Sequence, residues 1–149
     1  MRINHMGPLS PHILYLEDDQ DSVELVRFTV EAAGMQLTTG NSIEDVVRLA
    51  GQQDFDLFLL DGLLPSGYSF EICPQLRTLA PRVPIVFYTA LGFPGEVQKG
   101  TDAGADEYLI KPFMGDLAET LKKIIAKGSG GTGPNWPRER LGRFQTAVR

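Results

Sequence analysis

A chain of 149 residues and 16.4 kDa has the length of one domain with a proper core, and 42% hydrophobic and 22% charged residues exclude disordered, collagen-like and coiled-coil classes. Fourteen Lys and Arg against nineteen Asp and Glu leave a formal charge of -5, which argues against nucleic acid or an anionic membrane as a direct partner. The apolar runs are too short to cross a bilayer and no signal-peptide pattern opens the sequence, so the expected location is cytoplasmic; the lone Cys73 excludes an intrachain disulfide or a multi-Cys zinc site.

Residues 1–11 read as an N-terminal extension, with His5 and His12 as surface residues that lack the spacing of a metal motif. A first strand, ILYL from Ile13, ends in Glu17-Asp18-Asp19. Asp21-Ser22-Val23-Glu24 then offers a capping box to a first helix, whose stripe is Val23, Val26, Val30 and Ala33 and whose closing residue is Gly34. A weaker strand, MQLTT from Met35, precedes a second helix that Ser42 and Asp45 open and that carries Ile43, Val46, Val47 and Ala50 before Gly51. LFLL from Leu57 ends in Asp61. Phe70 to Leu79 is helical in pattern, with Pro74 predicting a kink or a late start. PIVFYT from Pro84 ends in Thr89, Gly95 to Ala103 supplies a short helix, and EYLI from Glu107 runs into Lys111-Pro112. A last helix shows Leu117, Leu121, Ile124 and Ile125 on one face before Lys127, and Cys73, Phe58 and Phe87 read as core.

Five short apolar strands alternating with helical segments predict a parallel α/β sheet, doubly wound, with the first, third and fourth strands buried on both faces. Residues 12–127 form that unit. Residues 128–149 differ: Gly128 to Pro134 is a Gly-rich linker, and the segment holds four Arg and one Glu, a charge of +3 that leaves -8 on residues 1–127. Pro137, Leu141, Phe144 and Val148 fall at helical spacing there, the pattern of a short basic amphipathic helix, against which stands a frayed terminus.

In an open sheet of this kind ligands sit outside the C-terminal ends of the strands. Those ends carry Glu17, Asp18, Asp19, Asp61, Thr89 and Lys111, so carboxylates remote in sequence should converge and repel one another. A hard divalent cation, magnesium first with other divalent cations allowed, suits such oxygens. An aspartate carboxylate is a competent nucleophile towards phosphorus, which makes Asp61 a candidate acyl-phosphate site, with the Lys111 ammonium and Thr89 hydroxyl placed to neutralise phosphoryl oxygens. For any one acid, helix capping is an equally good reading, and Asp19 in particular fits it.

ILYLEDD, DLFLLDGLLPSG, PIVFYTA and AGADEYLIKPF resemble the response-regulator receiver domain of two-component signalling, over roughly His12 to Lys127. The resemblance implies a flavodoxin-like (βα)5 fold with strand order 2-1-3-4-5. It implies Asp61 as the phospho-acceptor; Glu17, Asp18, Asp61 and the Leu63 backbone carbonyl as magnesium ligands; Thr89 and Tyr108 as switch residues; Lys111 as the lysine of the site; and a cis bond before Pro112. The implied phosphodonor is a sensor histidine kinase or phosphotransfer protein. A downstream protein would read the face of helix four, strand five and helix five, and a homodimer is allowed, although helix five lacks the Arg-rich pattern of charged dimers.

The sequence departs from the family where Ser69 stands in place of a usual glycine with Gly67 two residues earlier, at Pro74, and at Phe93-Pro94-Gly95. The side chains two places after Asp61 and Thr89 are Leu63 and Leu91, which cannot hydrogen-bond an attacking water, so a long-lived phosphorylated state is expected. The function expected is a single-domain regulator, not an enzyme beyond its own phosphorylation and slow dephosphorylation, that signals by phosphorylation-switched protein binding. The alternative is a pseudo-receiver that keeps the fold as an interaction module. A phosphatase reading is weaker, because no second acid follows two places after Asp61.

Overall fold

The computed structural model describes residues 10–113 and 115–128; the expectations for His5, the linker beyond Gly128 and the basic tail fall outside them. Five parallel strands form one sheet: β1 (His12–Leu16), β2 (Gln36–Gly40), β3 (Leu57–Leu60), β6 (Ile85–Thr89) and β7 (Glu107–Ile110), in the order β2-β1-β3-β6-β7. Counting only these five, the order is 2-1-3-4-5. A short antiparallel hairpin, β4 (Leu63–Leu64) and β5 (Gly67–Tyr68), follows β3; no strand pattern in the sequence announces elements of two residues.

The sheet is buried because successive side chains point to opposite faces and both faces are apolar. Ile13, Tyr15, Leu57, Leu59, Val86, Tyr88 and Leu109 meet α1 (Gln20–Ala32) and α5 (Leu117–Lys127) through Val23, Val26, Val30, Leu117, Leu121 and Ile124. Leu14, Leu16, Phe58, Leu60, Ile85, Phe87 and Tyr108 face α2 (Ile43–Gln52), α3 (Ile72–Leu79) and α4 (Pro94–Ala103), which contribute Val46, Ile72, Cys73, Leu76 and Val97. Burial pushes the Cys73 thiol up to about 12, so it is an inert core group.

Several local expectations shift. The cap of α1 is Asp19, not Asp21: its carboxylate accepts from the Ser22 N–H at 2.9 Å, and the helix begins at Gln20, two residues before the Ser22 start that an Asp21 cap implies. These hydrogen bonds from Ser22 hold the Asp19 carboxyl below its usual range. α3 starts at Ile72, so Pro74 lies in the first turn, where its missing N–H has no intrahelical acceptor to lose. α4 begins with Pro94 at its first position, and Glu96 reaches back to the Phe93 N–H at 3.2 Å. His12 is half-buried rather than at the surface, with Nε2 2.6 Å from the Thr38 hydroxyl and its ring centre 4.8 Å from that of Phe55.

At the edge opposite the strand ends, Arg77 of α3 gathers the loops. Its guanidinium donates to the carbonyls of Val83 (2.8 Å) and Gly104 (3.0 Å) and to the buried Asp106 carboxylate (3.2 Å), which also accepts the Ile85 N–H at 2.8 Å. Removing Asp106 would take the acceptor from the buried Ile85 N–H and the anionic partner from the Arg77 guanidinium, which keeps its carbonyl acceptors, so Asp106→Ala is expected to lower unfolding free energy by about 3 kcal/mol in urea denaturation.

Candidate functional site

The sheet register assembles the site. The Asp61 N–H donates to the Leu16 carbonyl at 3.0 Å, which sets Asp61 beside Glu17, and the Lys111 N–H donates to the Thr89 carbonyl at 2.8 Å. Glu17 is itself tied by its N–H to the Gly40 carbonyl at 3.1 Å. Five strand ends are thereby tied by backbone groups before any side chain is considered, β2 to β1 to β3 and β6 to β7, with the β3–β6 pairing joining the two sets.

The side chains of Glu17, Asp18 and Asp61 converge, one oxygen of each lying within 4.8 Å of the others, with Glu17 buried, Asp61 half-buried and Asp18 exposed. Glu17 tolerates burial because every side of its carboxylate is met: the Tyr15 hydroxyl donates at 3.0 Å, the Asp19 N–H at 3.2 Å, and the Lys111 ammonium lies at 2.6 Å. The same ammonium stands 3.8 Å from Asp61 and 5.3 Å from the ring centre of Tyr88, which holds it over the carboxylates. Burial pushes the Asp61 carboxyl above its usual range and the Glu17 charge adds to this, opposed by a hydrogen bond from Thr89, by Lys111 and by the Leu63 N–H at 3.2 Å. Burial, then the neighbouring Glu17 charge, likewise raises the Tyr15 phenol.

Thr89 is fully buried at the end of β6, and its oxygen accepts the Leu91 N–H at 3.3 Å. Gly62 makes room for this arrangement: a Cβ there would lie 3.1 Å from Leu91 Cδ1, 3.2 Å from Phe70 Cε1 and 3.5 Å from the Thr89 hydroxyl. Tyr108, on β7, lies inward with 1% of its surface exposed, and its hydroxyl donates to the Leu91 carbonyl at 2.7 Å. Leu63 stands at the rim, 47% exposed, while Leu91 is half-buried against the core. The Lys111–Pro112 peptide is cis.

Asp19 is committed to capping α1 and contributes its N–H, rather than a carboxylate, to Glu17. The departure at Ser69 also resolves. Ser69 is fully buried; its N–H donates to the Gly62 carbonyl at 3.0 Å and its hydroxyl to the Asp61 carbonyl, while Gly67 takes the positive φ of 124° that closes the hairpin. Ser69 therefore ties the loop after Asp61 back onto Asp61's own backbone. Sequence reasoning missed this tie, because its signal is a contact across eight residues of irregular chain.

Three oxygen-bearing acids at this separation fit a hard divalent cation, since the repulsion among them is only partly met by the single Lys111 ammonium. The arrangement offers one partly desolvated carboxylate as a nucleophile, the Lys111 ammonium near it, and the Thr89 hydroxyl in hydrogen-bonding contact with it.

The sequence matches the response regulator receiver domain over residues 13–125. It is 36% identical over 118 residues to RpaA of Synechocystis, a DNA-binding dual master transcriptional regulator, covering 78% of this chain and 48% of that one. It is also 36% identical over 123 residues to the phosphate regulon transcriptional regulatory protein PhoB of Rhizobium meliloti, covering 78% and 53%. The chain spans about half the length of the curated relatives it matches. Among solved structures, the receiver domain of a sensor histidine kinase from Pseudomonas aeruginosa, with a magnesium ion coordinated in its active-site cleft, superposes with TM-score 0.69 at 27% identity, covering 81% of this chain and 98% of that one. Vibrio cholerae chemotaxis protein CheY4 gives 0.71 at 25%, covering 77% and 98%.

Relieving the crowding of charge has a measurable consequence: with chelator present, Asp61→Asn is expected to raise the thermal midpoint by about 2–4 °C. Magnesium should raise the midpoint of the native chain and leave that of the variant nearly unchanged.

Proposed function

Because the chain belongs to the response-regulator receiver family of two-component signalling, we propose that residues 12–127 act as a receiver that accepts a phosphoryl group on Asp61. The observation that carries this reading is the convergence of Glu17, Asp18 and Asp61 beneath a lysine already drawn to two of them. The phosphodonor is a sensor histidine kinase or phosphotransfer protein, and the setting is cytoplasmic; among the described residues no helix is long and apolar enough to cross a membrane.

In the proposed reaction an Asp61 carboxylate oxygen attacks phosphorus, the bond to the donor breaks, and the charge left on the phosphoryl oxygens is met by the chain's own groups. Magnesium held by Glu17, Asp18, Asp61 and the Leu63 carbonyl would supply positive charge to the phosphoryl oxygens. Lys111 neutralises a further oxygen from its position between Glu17 and Asp61, and the Thr89 hydroxyl donates from β6. Leu63 and Leu91 flank the approach to phosphorus and give a hydrolytic water nothing to bond to.

Output follows from the same contacts. A phosphoryl group holding Thr89 and an inward Tyr108 select one arrangement of the face made by α4, β7 and α5, and a downstream protein binds that arrangement. The acidic body favours a protein over nucleic acid as the partner of this face.

Intact-mass measurement after incubation with acetyl phosphate and magnesium is expected to show one added phosphoryl group on the native chain and none on Asp61→Asn; an unmodified native chain would remove the proposal. The phosphorylated form should persist for minutes or longer. Replacing both flanking leucines, Leu63→Asn with Leu91→Gln, should speed hydrolysis at least about tenfold by giving the water a partner, while a native half-life of seconds would contradict the shielding.

A further inference from the structure

Gly100 sits in the middle of α4, where glycine is a poorer helix former than alanine, and it is buried. Its backbone is not in the left-handed region, unlike Gly104 at the end of the same helix with φ 118°, so conformational freedom does not explain it. Contact does. A Cβ on Gly100 would lie 2.7 Å from Cε2 and 2.8 Å from Cδ2 of Tyr108, and 3.3 Å from Cδ2 of Phe87. The tyrosine ring therefore rests directly against bare helix backbone, with its hydroxyl anchored on the Leu91 carbonyl at 2.7 Å and the Phe87 ring centre 5.7 Å away.

We propose that Gly100 is a positioning residue, a slot in α4 that admits the Tyr108 ring to its inward place beside Phe87. A methyl group at this position has two ways to be accommodated. The α4 backbone moves away from the sheet, or the ring leaves. Phe87 blocks sliding towards β6 and is itself fully buried, so the ring's exit is outward, onto the face of α4, β7 and α5. The reading of that face as the output surface rests on the function proposed above; the slot itself does not. Its consequence is that the arrangement of the face is limited by one missing methyl group on α4 as well as by the state of Asp61.

The test is nitration by tetranitromethane of the full chain without phosphodonor or magnesium, read by peptide mass, with half-exposed Tyr68 and fully buried Tyr15 as internal references. Tyr108 is expected to react about as slowly as Tyr15 in the native chain and several-fold faster in Gly100→Ala. Equal protection in the two chains would overturn the proposal. Thermal midpoints give a second readout through the sign of the change. Gly100→Ala should lower the midpoint in the native background and raise it in Tyr108→Ala, where the space is free and alanine is the better helix former; the same sign in both backgrounds would also overturn it. A chain that takes up no phosphoryl group from acetyl phosphate removes the function proposed for Asp61 and leaves both results on the slot standing.

Discussion

The site exists because parallel strands end together. Backbone hydrogen bonds from Asp61 to Leu16, from Glu17 to Gly40 and from Lys111 to Thr89 place three carboxylates within 4.8 Å in a setting that water only partly reaches. Such crowding is unfavourable, and the fold maintains it with a sheet whose two buried faces resist displacement. The Lys111 ammonium at 2.6 Å from Glu17 relieves part of the repulsion, and Tyr15 and the Asp19 N–H relieve more. The repulsion left uncompensated is what makes the hollow suited to a cation.

Much of this arrangement is legible in the amino-acid order. Buried strands announce themselves as continuous apolar runs, and the polar residue that ends each run marks where the sheet meets solvent, so Glu17, Asp61, Thr89 and Lys111 stand out without coordinates. The stripes of α1 and α5 are equally plain. The sequence is less informative where structure depends on contacts between irregular segments. Nothing in PSGYS foretells a hairpin of two-residue strands or the bond from Ser69 to the Asp61 carbonyl. Asp19 and Asp21 are both credible caps, and the choice falls to Asp19 because β1 turns into α1 at once. His12 reads as polar and is half-buried because Phe55 and Thr38 happen to face it.

Glycines make the same point from the other side. Gly67 and Gly104 are required for backbone reasons that a sequence can suggest, whereas Gly62 and Gly100 are required by neighbours. Gly62 leaves space for Leu91, Phe70 and the Thr89 hydroxyl, and Gly100 leaves space for Tyr108. Gly62 follows Asp61 and Gly100 lies within α4, and at both places side chains pack against bare backbone, an arrangement with little slack to absorb a small displacement.

The cluster around Arg77 has a bearing on how the molecule yields under thermal fluctuation. One guanidinium, a buried carboxylate and two loops are knitted at the pole away from the hollow, while the opposite pole is made of a hairpin of two-residue strands and loops that carry Asp61, Leu91 and Lys111. Local opening should accordingly start at the acidic pole and travel down the strands, leaving the knitted pole as the last to exchange its amide protons. The fold would thus breathe from one end only, and that end is the one that gathers Glu17, Asp18 and Asp61.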